Sequence, residues 1–148
     1  MTALPFDRPA WLGLLARAPH DRLQALALAA GVATDHTMLR PPEIGTVMLR
    51  GRAGGTGAPF NLGEITVTRA SVQLPDGPVG HGHIRGRNRD AALTVALIDA
   101  QMQTPRAPEL TAAILAPLAA EQAARRDTRA AKAAATKVDF FTLVRGDD

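Results

Sequence analysis

The twelve residues 63–74, GEITVTRASVQL, constrain the fold more than any other stretch of this chain. Thr66, Thr68, Ala70, Val72 and Leu74 fall on one face of an extended chain, and Ile65, Val67, Arg69, Ser71 and Gln73 fall on the other. A side-chain period of two is the mark of a β-strand. Pro75-Asp76-Gly77 then reads as a turn, and PVGHGHIRGR at 78–87 as a second strand. Upstream, HTMLR at 36–40 precedes a break at Pro41–Pro42, and GTVMLRGR at 45–52 follows it as a strand. The spacing predicts an antiparallel meander of three to four strands over 35–86.

Between residues 52 and 59 lies a stretch rich in small residues: Ala53, Gly54, Gly55, Thr56 and Gly57. A phosphate cradle and a tight turn both need glycine, one for bare backbone N–H groups and the other for positive φ. Here the stretch joins two strands and does not open a helix. A phosphate loop of the GxxxxGK[ST] kind lacks its lysine, and the strand-to-helix context of a dinucleotide fingerprint is missing. The hairpin reading is preferred.

Helices are expected on both sides of the meander. Asp7 can cap a helix whose first turn tolerates Pro9, with Trp11, Leu12, Leu14 and Leu15 as its apolar face. After Pro19, the stripe Leu23, Leu26, Ala27 and Ala30 ends at Gly31, completing a helical hairpin over 1–31. Asn88 can cap a buried helix over 88–103, apolar most of the way round. Pro105 and Pro108 are expected to stop any helix, and Pro117 to interrupt the alanine-rich one over 109–136. That last helix pairs Glu121 with Arg125 at i,i+4, and much of it should be solvated or packed on something thin. The tail over 137–148, VDFFTLVRGDD from 138 onward, is apolar and strand-like. It is either a last strand of the chain's own sheet or a segment that docks on a partner through Val138, Phe140, Phe141, Leu143 and Arg145. The whole is an α+β single domain, a size expected of 148 residues.

Charge narrows the chemistry. The formal net charge is +3, and lysine occurs only at Lys132 and Lys137. Arg40, Arg50, Arg52, Arg69, Arg85, Arg87 and Arg89 crowd the middle third. Guanidinium groups suit phosphates and carboxylates bidentately, although arginines spread over solvated strand faces would look the same. Arg50 with Arg52, and Arg85 with Arg87, each share a strand face. If those strands are neighbours, the four converge near a helix N-terminus, a setting suited to anions. With Arg69 and the small residues Gly54, Gly55 and Gly57 they form the candidate anion or partner contact. Nucleic acid fits less well, since few aromatics are available for stacking and no long basic run exists.

Catalytic signals are sparse. The absence of cysteine excludes disulfides, thiolate metal sites, iron–sulfur ligation and a cysteine nucleophile in this chain, and it suits a reducing cytoplasm. WLGLLA at 11–16 is too short and badly flanked for a signal peptide or membrane span. His81 and His83 share a strand face at a spacing metals accept, but lack a third ligand nearby, and beside Arg85 they suit a polar surface. Asp99, in the apolar helix, is either a perturbed carboxylate, a partner for an arginine or an edge residue. Glu64 and Asp90 have no second carboxylate at a defined spacing for acid–base work. No catalytic or metal-binding residue is assigned.

The stretches RPPEIGTVMLRGRAGGTGAPFNLGEITVTRASVQL, GHIRGRNRDAALTVALIDA, ILAPL and VDFFTLVRGD, in that order, resemble the small G subunits of the bacterial carbon–phosphorus lyase core complex. These are also described as subunits of α-D-ribose 1-methylphosphonate 5-triphosphate synthase. The resemblance runs from about residue 39 to the end, and the His81/His83 pair stands outside the family pattern. It implies a cytoplasmic machine that degrades phosphonates: ATP is its substrate, adenine is displaced, and the phosphonate joins the ribose. It implies an iron–sulfur cluster and S-adenosylmethionine in a partner subunit, and nucleosidase-like chemistry in a larger one. This chain would then bind no cofactor and act as a non-catalytic or co-catalytic subunit. The rival readings are a stand-alone arginine-rich anion- or RNA-binding module and an enzyme using His81 and His83.

Overall fold

The computed structural model describes residues 6–136. Asp7 caps α1 (Arg8–Ala16) by accepting the Ala10 N–H at 2.9 Å, and Pro9 sits in the first turn. Helix α2 (His20–Ala29) follows Pro19, and the chain leaves it through Gly31 at φ +57°, a conformation glycine takes without strain. Trp11, Leu14, Leu15, Leu23 and Ala27 are buried, so the two helices pack on the faces their periodicity assigns.

Three antiparallel strands come next among the described residues, in the order β1 (Thr37–Arg52), β2 (Pro59–Gln73) and β3 (Val79–Arg85). Leu74–Gly77 makes the second turn, closed by the Gly77 N–H on the Leu74 carbonyl at 3.0 Å. The break expected at Pro41–Pro42 does not occur, and β1 runs through both prolines. Among the described strands β1 lies at the sheet edge, and its register with β2 shifts on either side of Arg40, which leaves Pro41 and Pro42 out of the pairing.

Helix α3 (Arg89–Gln101) lies across one face of the sheet. Asn88 caps it by accepting the Ala91 N–H at 2.9 Å, and nine of its residues are buried. What brings it close is β3. Gly80 and Gly82 face it, and a Cβ on Gly82 would stand 1.8 Å from the Ala92 carbonyl oxygen, while one on Gly80 would stand 2.0 Å from that of Ala96. The run read for its histidines is thus shaped by its glycines. Thr68, fully buried, fixes the β3–α3 turn by donating to the Gly86 carbonyl at 2.6 Å and accepting the Asn88 N–H at 3.2 Å.

The expected stop holds at Pro105, which lies in the turns between α3 and the next helix, but not at Pro108 or Pro117. Pro108 lies in the first turn of α4 (Ala107–Leu110), where its missing N–H costs nothing. A π-helical turn over Thr111–Leu115 joins α4 to α5 (Ala116–Ala135), so helix continues past Pro117. Ala113, whose carbonyl a ring at 117 would strike in a regular α-helix, lies in that wide turn. Leu110, Ile114, Leu115 and Leu118 complete the core. Beyond Gln122, α5 is exposed on all sides through Ala135. Arg106 anchors this region by donating to the Ala30 and Gly31 carbonyls, Gln101 Oε1 and Glu109. Its hydrogen bond holds the Glu109 carboxyl below the usual carboxylate range.

Candidate functional site

Strand β3 pairs with β2 only from Val67 to Gln73, whereas β1 pairs with β2 out to Arg52 and Pro59. The remainder, 46–52 against 59–66, is a two-stranded arm that extends about 20 Å beyond the three-stranded body. Cross-strand pairing puts Val47, Ile65 and Leu49 on one face of the arm and Met48 with Glu64 on the other. Between the pairs Leu49–Gly63 and Arg50–Asn61, Leu62 is the extra residue of a bulge. Met48, Leu49, Phe60 and Leu62 are all exposed, Leu62 at 62%.

At the tip, the small-residue stretch is a tight connection, as the hairpin reading requires. Gly54 and Gly55 take φ of +60° and +78°, and the Gly57 N–H closes the turn on the Ala53 carbonyl at 3.0 Å. Arg52 bends back to donate to the Gly57 carbonyl at 3.2 Å, and Arg50 is exposed beside it.

The other arginines lie elsewhere. Strand β2 separates β1 from β3, so the expected convergence of Arg50 and Arg52 with Arg85 and Arg87 does not form. Arg50 is opposite Asn61 and Arg85 is opposite Val67, about 20 Å apart along β2. Arg85 ends β3, Arg87 sits in the turn before α3, and Arg69 belongs to the face of the sheet opposite α3. That open face carries a grid set by register: Arg40, Ser71 and His81 in one row, and Glu43, Arg69 and His83 in the next. Glu43 Oε1 accepts from Arg40 Nη1 at 3.1 Å and meets Arg69 Nη2 at 3.1 Å. Ser71 Oγ and His81 Nδ1 share a hydrogen bond of 2.9 Å.

Asp99 is the arginine partner that was one of its three readings. Fully buried, it accepts from Arg8 Nη2 at 2.7 Å, Trp11 Nε1 at 2.8 Å and the His81 backbone N–H at 2.9 Å, binding α1, α3 and β3 together. Sequence reasoning missed the arm, the glycine seat and this junction. The seat had a signal in Gly80 and Gly82, two apart, facing Ala92, Ala96 and Ala100, four apart. Among the described residues no three His, Cys, Asp or Glu side chains cluster as metal ligands, and no helix is long and apolar enough to cross a membrane. The expected docking residues Val138, Phe140, Phe141, Leu143 and Arg145 lie outside the described residues.

Residues 6–146 match the family of the phosphonate metabolism protein PhnG. The chain is also similar to a protein of Rhizobium meliloti (strain 1021) named alpha-D-ribose 1-methylphosphonate 5-triphosphate synthase subunit PhnG. The two are 44% identical over 135 residues, which span 91% of this chain and 86% of that protein.

Proposed function

Because this chain belongs to the PhnG family of phosphonate metabolism proteins, we propose that it serves as an assembly subunit of an α-D-ribose 1-methylphosphonate 5-triphosphate synthase within a carbon–phosphorus lyase core complex. Its role is non-catalytic or co-catalytic, and the arm is the element that docks. One observation carries this reading: a two-stranded ribbon exposes Met48, Leu49, Phe60 and Leu62, with no further layer over them among the described residues. Such a ribbon is marginal alone in water, and clustered exposed apolar side chains mark interaction surfaces. A partner subunit supplies an apolar cleft for the shaft and acidic groups for Arg50 and Arg52 at the tip. The larger, nucleosidase-like subunit is the partner we favour. In the same reading the complex works in the cytoplasm with ATP as its substrate and adenine leaving, and the iron–sulfur cluster and S-adenosylmethionine belong to another subunit.

Co-expression with the other subunits tests the arm. Leu49→Asp should abolish co-elution while the circular dichroism of the free chain stays unchanged. Arg50→Ala with Arg52→Ala should weaken association about tenfold, the loss expected for charge-assisted contacts. Co-elution of all these variants at the wild-type yield, with normal turnover by the complex, would remove the arm as the docking element.

A further inference from the structure

We propose that the open face of the sheet is a binding site for a phosphate-type dianion, the terminal group of a phosphate ester or polyphosphate. A depression of about 300 Å³ lies there. Its floor includes Ala70 and Gly82, and its walls are Arg40, Arg69, Ser71, His81 and His83. The register explains how they meet: Arg40, Ser71 and His81 stand opposite one another on three strands, and Arg69 and His83 stand opposite one another in the adjacent row.

The donor set fits an oxyanion better than a metal. Two guanidiniums and two imidazoles bring N–H groups from several sides, and Glu43 is the one carboxylate among the described residues paired with both arginines. Glu43 meets both guanidiniums through a single oxygen, which holds the two cations side by side and leaves most of their N–H groups for a ligand. Arg69 Nε is shielded from water and has no acceptor among the described residues, an unsatisfied donor at this site. With the Ser71 hydroxyl donating to His81 Nδ1, the ring proton of His81 sits on Nε2, which can donate to the ligand. Arg85, next after His83 on the same face of β3, adds positive charge along the approach. The proposal does not depend on the arm, and either can fail alone.

The chain supplies its own controls, because two of its four histidines, His20 and His36, lie away from the depression. Imidazole 15N resonances of the full chain are followed while inorganic phosphate, and separately tripolyphosphate, is added at constant ionic strength. His81 and His83 should move saturably and His20 and His36 should stay. Arg69→Gln should weaken binding about tenfold, as should Arg40→Gln, whose more exposed side chain makes it the safer variant for folding. Arg126→Gln on α5, which removes the same charge elsewhere, should change nothing. Movement of all four histidines together, movement of none, or an equal loss in Arg126→Gln would overturn the site.

Discussion

The arm and the body of the sheet are built from the same two strands, yet their apolar residues have opposite fates. In the body, Thr68, Ala70 and Val72 of β2 are 2% exposed or less beneath α3. In the arm, Met48 of β1 and Leu62 of β2 are 51% and 62% exposed. Strand propensity is alike in the two regions, and the difference is the second layer. Gly80 and Gly82 let α3 settle on the body, whereas among the described residues the arm runs on past β3 with only two strands. Alternating apolar residues in a strand therefore call for a cover without saying whose it is. In the body the chain provides its own, and for the arm we look to another polypeptide.

Substitutions that strike the body should cost folding first. The largest effect is expected from Gly82→Ala, since its methyl would stand 1.8 Å from a helix carbonyl and backbone cannot swing aside. Lifting α3 off the sheet should cost about 3 kcal/mol or more, lowering Tm by roughly 10 °C in a calorimetric scan. A wild-type melt would mean the body tolerates a looser layer, and the contrast with the arm would blur. Next comes Asp99→Asn, which removes the charge and turns one of two acceptor oxygens into a donor among donors from Arg8, Trp11 and His81. Breaking a buried pair costs about 3–5 kcal/mol. Because Arg8 is partly solvated, about 2 kcal/mol is expected in urea unfolding. An unchanged midpoint would show that α1 is held by its apolar face alone.

What the sequence made legible follows the reach of each signal. Local rules sufficed for the Asp7 and Asn88 caps, the Gly31 exit and the alternating faces of β2, because each depends on neighbours within a few residues. Proline misled three times, at the Pro41–Pro42 pair, Pro108 and Pro117, since whether a missing N–H matters depends on strand order or helix position. For the site, the glycine turn was readable as a turn, but the grouping of the arginines was not. Sequence shows that Arg50 and Arg85 each lie near the end of a strand, while only pairing reveals that Arg50 is opposite Asn61 near the tip of the arm and Arg85 is opposite Val67, where the arm leaves the body. The grid of Arg40, Arg69, His81 and His83 likewise exists only through register, which a bulge or a proline pair can shift by a residue.

The smallest effect on folding should come from the same change as the largest, moved to the arm. A methyl on Gly51 would stand 2.4 Å from Leu62 Cδ1, as forbidding on paper as the clash at Gly82. Here, however, the obstacle is the end of an exposed side chain that can rotate into water. Gly51→Ala should therefore change the stability of the free chain by less than about 1 kcal/mol, with the reduced freedom of the unfolded backbone offsetting part of the strain. It should still displace Leu62 from the surface that the arm presents, so co-elution with partner subunits should weaken while the melt of the free chain does not move. If Gly51→Ala instead unfolds the chain as Gly82→Ala does, Leu62 is locked in place by the fold itself. The arm would then be a limb of the core, and its apolar side chains would need no partner to account for them.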